Sequence, residues 1–369
     1  MKNRTYKIII AGGGTGGHLF PAIAIGENLI SNGVTVKYVG SRYGIESTYK
    51  FIDKESIELL DLRGIQRTLS PSSILKNILL PYRIIKSFFQ VSSLFRKYKP
   101  DFVIGTGGYS CAIPLFIAFR KKILTAIQEQ NVIPGLVTTK FSNKVDFIFT
   151  SFDETESYLS NYKNLLCTGN PVRNIIKNTS KVDASNTFNL SSDKFTILII
   201  GGSQGAESIN KHFLRNLNHY IEKDIQIIWQ VGSKSKNIIN QVNNSNIKVY
   251  EFINDMGAAY SASDLVISRA GATAISEIIS LGKPSILIPY PYAANNHQVA
   301  NALALQSHKA ALMVEEGSLK EGKLEKFISD SSEFKIEMKD MALNAIKFSK
   351  KKSAALIATK IINEVSSVR

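Results

Sequence analysis

Cysteine is nearly missing: Cys111 and Cys167 are the only two in 369 residues, and neither stands in a CxxC or near paired histidines. This excludes a disulfide framework and a structural zinc site and points to a reducing compartment. Long apolar runs are missing too. No uninterrupted stretch reaches the roughly 20 residues that cross a bilayer, and the apolar run after Met1-Lys2-Asn3-Arg4-Thr5 passes into glycine too soon for a signal peptide. A cytosolic chain, or one attached to a membrane from the cytosolic side, is expected. Carboxylates are scarce against cations: 30 Asp and Glu face 45 Lys and Arg, a net charge of +15. That balance suits a nucleic acid, an anionic membrane surface or a phosphorylated substrate. No zinc-finger spacing, aromatic RNA-binding strand or basic recognition helix accompanies the charge, so nucleic acid is not an expected partner.

What is present is a repeating alternation. "YKIIIA", "VTVKYVG", "DFVIGTGG" and "DFIFTSF", then "FTILIIGG", "IQIIWQVG", "IKVYEF", "DLVISRAG" and "PSILIPY", are short apolar runs separated by amphipathic stretches. Near-continuous apolar strands between helices are the pattern of parallel sheets covered on both faces, an α/β fold. The chain length suits two domains. Residues 177–194, "KNTSKVDASNTFNLSSDK", read as a polar linker or loose connecting loop between the two series. The expected domains are 1–174, completed by a C-terminal helix over 350–369, and 175–349. In that helix Ile357 and Ile361 lie one turn apart.

Glycine turns mark the candidate sites. The first, "AGGGTGGHLF" at 11–20, follows an apolar strand; such a turn lets the backbone present N–H groups, most often to phosphate. Neither a clean GxGxxG with an acid on the next strand nor a Gly-Lys-Ser/Thr is present, so a dinucleotide site and a P-loop are both disfavoured. The second turn, "GGSQG" at 201–205, adds the Ser203 hydroxyl and the Gln204 amide. In "SRAGATAISEIISLGKP" (268–284), a glycine opens a helix whose first amides can face a diphosphate, and Glu277 can accept from a ribose diol. "PYPYAANNHQVANA" (289–302) sets amides and an imidazole where sugar hydroxyls could be bound.

Taken in order, "GGGTGGHLFPA", "IGTGGYSCAIP", "QEQNVIPG", "GNPVR", "IIGGSQGAESIN", "EFINDMGAAYSASDLVISRAGATAISEI" and "NNHQVANA" resemble the MurG family over nearly the whole chain. The resemblance implies a GT-B fold: two Rossmann-like doubly wound domains facing an interdomain cleft. The activity it implies is inverting transfer of N-acetylglucosamine from UDP-N-acetylglucosamine to the lipid-linked muramoyl-pentapeptide of cell-wall synthesis. No cofactor or metal is implied, and no Asp-x-Asp metal signature stands in a suitable place. By position, Thr15, Gly16, Gly17, Asn131 and Gln298 match sugar-proximal residues, and Arg173 and Ser203 match diphosphate contacts. Ala272 and Thr273 lie at the helix start below the phosphates, Ile253 matches the backbone that pairs with uracil, and Glu277 the ribose-binding acid. Gly107, Gly108 and Tyr109 are expected at the acceptor's diphosphate. Two departures stand out: Gln128 replaces a histidine found in many relatives, and His297 replaces a glutamine found in some.

Inverting transfer needs a base for the attacking hydroxyl. His18, at the mouth of the first glycine turn, is of the residue type that exchanges protons near neutral pH; it could instead only cap the helix or orient the loop, and Glu129 is the competing base. Residues 71–99 combine Ile74, Leu75, Leu79, Leu80, Ile84, Ile85, Phe88 and Phe89 with Lys76, Arg83, Lys86, Arg96, Lys97 and Lys99, interrupted by Pro81. This composition suits an interfacial helix on the inner leaflet of the cytoplasmic membrane, held peripherally by anionic headgroups, or an ordinary amphipathic core helix. A UDP-N-acetylglucosamine 2-epimerase shares the architecture and the donor, but has no use for the basic, apolar segment.

Overall fold

The structure is a computed structural model that describes residues 5–48, 53–64, 70–176, 179–202, 204–328, 332–350 and 352–367. The chain divides into two compact units, Met1–Arg173 with Lys351–Arg369, and Asn174–Lys350.

The first unit holds β1 (Lys7–Ala11), β2 (Thr35–Ser41), β3 (Ile57–Leu60), β4 (Phe102–Gly105), β5 (Leu124–Glu129), β6 (Phe147–Thr150) and β7 (Leu165–Cys167). They form one parallel sheet in the order β3-β2-β1-β4-β5-β6-β7. The second unit holds β8 (Thr196–Ile200), β9 (Gln226–Gln230), β10 (Ile247–Tyr250), β11 (Leu265–Ser268), β12 (Ser285–Leu287) and β13 (Leu312–Met313). Its parallel order is β10-β9-β8-β11-β12-β13. Each sheet is built outward in both directions from a central pair, β1 with β4 and β8 with β11. The carboxyl ends of such a pair are where open α/β sheets form a crevice for ligands.

Central strands are apolar on both faces because both faces are covered. Ile8 and Ile10 pack with Leu19 and Ile23 of the helix Gly16–Ser31, while Ile9, pointing the other way, packs with Val91 and Phe95 of the helix Leu80–Tyr98. The second unit repeats the scheme, with Ile197 and Ile199 against Phe213 and Trp229 on one side and Leu198 and Ile200 against Tyr260 and Ile278 on the other. The helix Ser353–Ser367 inserts Ile357, Ala358, Ile361 and Val365 into the first unit's core beside the helix Gly16–Ser31.

The expectation of a loose linker over 177–194 is corrected. Lys181–Thr187 is a helix whose N-cap, Ser180, accepts from the Asp183 N–H through its hydroxyl oxygen at 3.1 Å. Ala184, Phe188 and Leu190 are buried in the second unit's core. Ser180 serves as the helix cap and Asn186 lies on its exposed face, in place of a flexible spacer. Lys177 and Asn178 lie outside the described residues.

Candidate active site

In the first unit the β1 and β4 carboxyl ends carry the two glycine turns and the histidine. Thr15 is the N-cap of the helix Gly16–Ser31, without a side-chain cap bond, so Thr15, Gly16 and Gly17 form a bare helix start ahead of His18. His18 Nδ1 lies 3.1 Å from the Thr106 carbonyl and 2.9 Å from Gln130 Oε1. The Gln130 amide is oriented by its own Nε2, which donates to Thr106 O at 2.8 Å, Gln128 O at 2.9 Å and Gln128 Oε1 at 2.6 Å. Two acceptors therefore face Nδ1, which assigns the neutral ring's proton to that nitrogen and leaves the lone pair on Nε2. Nε2 has no hydrogen-bond partner among the described residues. Gln128 anchors this network through Ser151 and Asn170.

Glu129 is only 4 % exposed and its oxygens are committed to the turn that follows it. Oε1 accepts from the N–H groups of Gln130 at 3.0 Å and Asn131 at 3.1 Å; Oε2 accepts from Gly135 N at 2.9 Å and Thr138 Oγ1 at 2.5 Å. The carboxylate builds the turn that presents Asn131. Gly107 has a positive φ of 98°, and a Cβ there would lie 2.5 Å from His18 Nδ1. The turn at Gly107 and Gly108 is thus packed directly against the imidazole, with Gly108 against the Gly13 carbonyl and Tyr109 exposed. Arg173 lays its guanidinium 3.9 Å from the Phe20 ring centroid, next to the same helix start. Burial pushes the Cys111 thiol up to about 12, keeping it neutral beneath this turn.

In the second unit the helix Ala272–Ser280 begins at the end of β11 with Gly271 as an uncapped N-cap and no acidic residue in its first turn. The Thr273 hydroxyl there is buried without a partner. A helix N-terminus with a positive dipole end and an unspent hydroxyl are groups that can hold a phosphate. Glu277, one turn further and buried, receives the Tyr260 hydroxyl on Oε2 at 3.1 Å. The Ile253 N–H donates to Gln230 Oε1 at 2.9 Å. Gln230 also donates to Gly202 O at 3.1 Å, tying the second glycine turn to that backbone. Gln298 spends Oε1 on Tyr290 N at 2.9 Å and keeps its Nε2 donors. Ser203 lies outside the described residues.

Arg269 was not singled out in the sequence. It is buried at the end of β11, donates to the carbonyls of Ile288 and Pro289 at 3.1 Å each and to Ser208 Oγ at 2.9 Å, and pairs with Glu316. The signal available was a cation directly after an apolar strand, where only a paired charge can be buried. It ties together the strand ends that frame the helix start.

The basic, apolar segment is two helices, Pro71–Ile78 and Leu80–Tyr98, the second with Pro81 in its first turn. Ser87, Val91 and Phe95 face the core, whereas Leu75, Leu79, Ile84, Ile85, Phe88 and Phe89 are exposed, Phe89 to 67 %. Leu80 is half-buried, and the Ile74 side chain lies outside the described residues. Phe88 meets Phe116 at 6.4 Å between centroids, extending the patch to the exposed Phe119. Arg83 leaves the expected cationic rim: it turns inward to Asp61, at 3.8 Å, and the Tyr43 ring. Among the described residues no helix is long and apolar enough to cross a membrane.

Comparison with known proteins agrees with this layout. The N-terminal domain of glycosyltransferase family 28 matches residues 8–150 and the C-terminal domain of that family matches 196–359. A UDP-N-acetylglucosamine–N-acetylmuramyl-(pentapeptide) pyrophosphoryl-undecaprenol N-acetylglucosamine transferase of Thermodesulfovibrio yellowstonii is 39 % identical over 93 % of this chain and 94 % of its own. The crystal structure of Acinetobacter baumannii MurG superposes with a TM-score of 0.73 at 24 % identity, covering 98 % of this chain and 100 % of that one. A UDP-N-acetylglucosamine 2-epimerase also superposes, with a TM-score of 0.63 at 13 % identity over 99 % of this chain and 98 % of that one, so the fold alone does not separate the two activities. The identity to the transferases does separate them: the chain belongs to glycosyltransferase family 28 and, within it, to the MurG family of N-acetylglucosamine transferases.

Proposed function

We infer that this chain is an inverting glycosyltransferase. It moves N-acetylglucosamine from UDP-N-acetylglucosamine to the C4 hydroxyl of the muramoyl sugar in undecaprenyl-pyrophosphoryl-MurNAc-pentapeptide. The observation that carries the chemistry is His18, with its Nδ1 proton held by Thr106 and Gln130 and its Nε2 free. In this reading the acceptor hydroxyl gives its proton to Nε2 as its oxygen bonds to C1 of the donor sugar. The C1–O bond to UDP breaks on the opposite face, which inverts the anomeric configuration. The departing diphosphate's charge is met by the amides of Ala272 and Thr273, the Thr273 hydroxyl, Ser203 and Arg173, in place of water that would have to reorganise. Glu277 accepts from the ribose, the Ile253 carbonyl faces the uracil N3–H, and Gln298, Asn131 and the helix start at Thr15, Gly16 and Gly17 serve the transferred sugar. Glu129, with its lone pairs committed to the turn it builds, positions Asn131 rather than taking the proton.

The first unit takes the acceptor, its diphosphate at Gly107, Gly108 and Tyr109, and rests peripherally on the cytoplasmic face of the membrane through the helix Leu80–Tyr98. The second unit takes the nucleotide. The test is transfer of radiolabel from UDP-N-acetylglucosamine to a short-chain lipid-linked muramoyl-pentapeptide. Label extracted into the organic phase only when acceptor is present is the expected result; an epimerised or untouched donor with no lipid product would reject it. A second measurement addresses the nucleotide. Glu277→Ala removes a charged acceptor of two ribose hydrogen bonds and is expected to raise the Kd for UDP by about 10- to 100-fold in calorimetry. An unchanged Kd would remove Glu277 from the donor site.

A further inference from the structure

Glu46 is a buried carboxylate, 3 % exposed, that the mechanism above does not use. It sits in the short turn Ile45–Ser47 after β2 and reaches under the first glycine turn. The Gly14 N–H donates to both of its oxygens, at 2.9 and 2.8 Å, and Ser41 N–H donates to Oε1 at 2.6 Å. No cation pairs with it among the described residues. Three glycines make the space: a Cβ at Gly13 or Gly44 would lie 2.2 Å from a carboxylate oxygen, and one at Gly40 would lie 2.6 Å from its Cγ. Backbone N–H groups around an anion are the arrangement by which glycine turns hold phosphate. Here the chain supplies the anion itself.

We propose that Glu46 is the resident anion of the first glycine turn and the positioning residue that sets His18. Holding Gly14 fixes Thr15, whose carbonyl accepts from the N–H groups of His18 at 3.2 Å and Leu19 at 3.1 Å. It also fixes Gly13, against which Gly108 packs. The turn is therefore closed to an outside phosphate at Gly14 and serves to aim the imidazole. This rests on the reading of His18 as the base.

The test uses the full chain. Glu46→Ala is expected to lower kcat by about 10- to 100-fold, the cost of a base displaced by a fraction of its contact distance, while the Kd for UDP, whose uracil and ribose fall to Ile253 and Glu277, stays unchanged. Amide exchange should accelerate at residues 12–17 and stay at wild-type rates in the rest of the unit. Formate, small enough to enter the vacated space, should restore kcat saturably where chloride does not. Gly40→Ala, whose Cβ would meet Glu46 first, at 2.6 Å from its Cγ, should reproduce the loss, and the double variant should be no worse than Glu46→Ala alone. Should Glu46→Ala fail to fold, Glu46→Gln keeps the shape but turns an N–H₂ toward backbone donors, and an intermediate loss of kcat is expected. A kcat within threefold of wild type in Glu46→Gln and Gly40→Ala, or exchange that rises throughout the unit without formate rescue, would overturn the proposal. A wild-type chain that binds UDP but transfers no sugar would instead sink the transferase reading, and the exchange measurement would still decide whether Glu46 holds the turn.

Discussion

Replacing His18 with alanine is expected to lower kcat for sugar transfer by about 10² to 10⁴, the usual contribution of a positioned general base. KM for UDP-N-acetylglucosamine should change little, because His18 is given no contact with the donor, whose uracil and ribose fall to Ile253 and Glu277. The acid limb of the pH profile of kcat, which a proton-accepting imidazole produces, should disappear in the variant. An effect confined to KM would show that His18 binds rather than reacts. The expectation rests on the tautomer. With Nδ1 donating to Thr106 O and Gln130 Oε1, the nitrogen with the lone pair is Nε2, the one without a partner. A ring that only capped the helix would spend its polar atoms on the helix's own N–H groups, and this one does not. Gln130→Ala removes one of the two acceptors and should cost less than His18→Ala, since the Thr106 carbonyl still holds the proton in place.

The second large effect concerns membrane attachment. Changing Ile78, Ile85 and Phe89 together to serine is expected to weaken binding to vesicles containing anionic lipid by about 10³-fold or more, since each apolar side chain moved from water into an apolar phase contributes about 1.5–3 kcal/mol. All three are exposed, and none belongs to the cluster formed by Val91, Phe95 and Leu115 beneath the helix. Stability should therefore be kept, as thermal unfolding would show, and UDP binding should be unaffected. Raising the salt concentration should weaken the wild type as well, because Lys86, Arg96 and Lys97 act through screened charge. Sedimentation with vesicles gives the answer directly: a variant that still pellets with them would refute the membrane role of this surface.

Much of this molecule is legible in the sequence because its central strands are buried on both faces. β1, β2, β4 and β6, and all of β8 to β12, are apolar runs ended by glycine, proline or a polar residue. The glycine turns after β1, β4 and β8 mark the carboxyl ends of the strands where each sheet changes direction. The strands that escape such reading have specific causes. β5 ends in Gln128 and Glu129, polar residues buried because hydrogen bonds satisfy them, and β3, β7 and β13 are short edges with little apolar area to show. The helix Lys181–Thr187 hid in a polar stretch because its stability comes from one cap and from packing against the helix Met256–Ala262.

The α/β class, the family, the two series of strands and the position of His18 on a glycine turn are all readable along the chain. These follow from local pattern: burial on two faces demands apolar runs, and sharp turns demand glycine. Which nitrogen of His18 is free depends on the fold, because the groups that settle it, Thr106 and Gln130, stand 88 and 112 positions away. The fold alone turned Arg83 inward to Asp61, assigned the Glu129 oxygens to a turn, and brought Glu46 to a backbone N–H 32 positions distant. The direction of a polar side chain depends on which donors and acceptors the fold places beside it, and that placement is not a property of its neighbours in sequence.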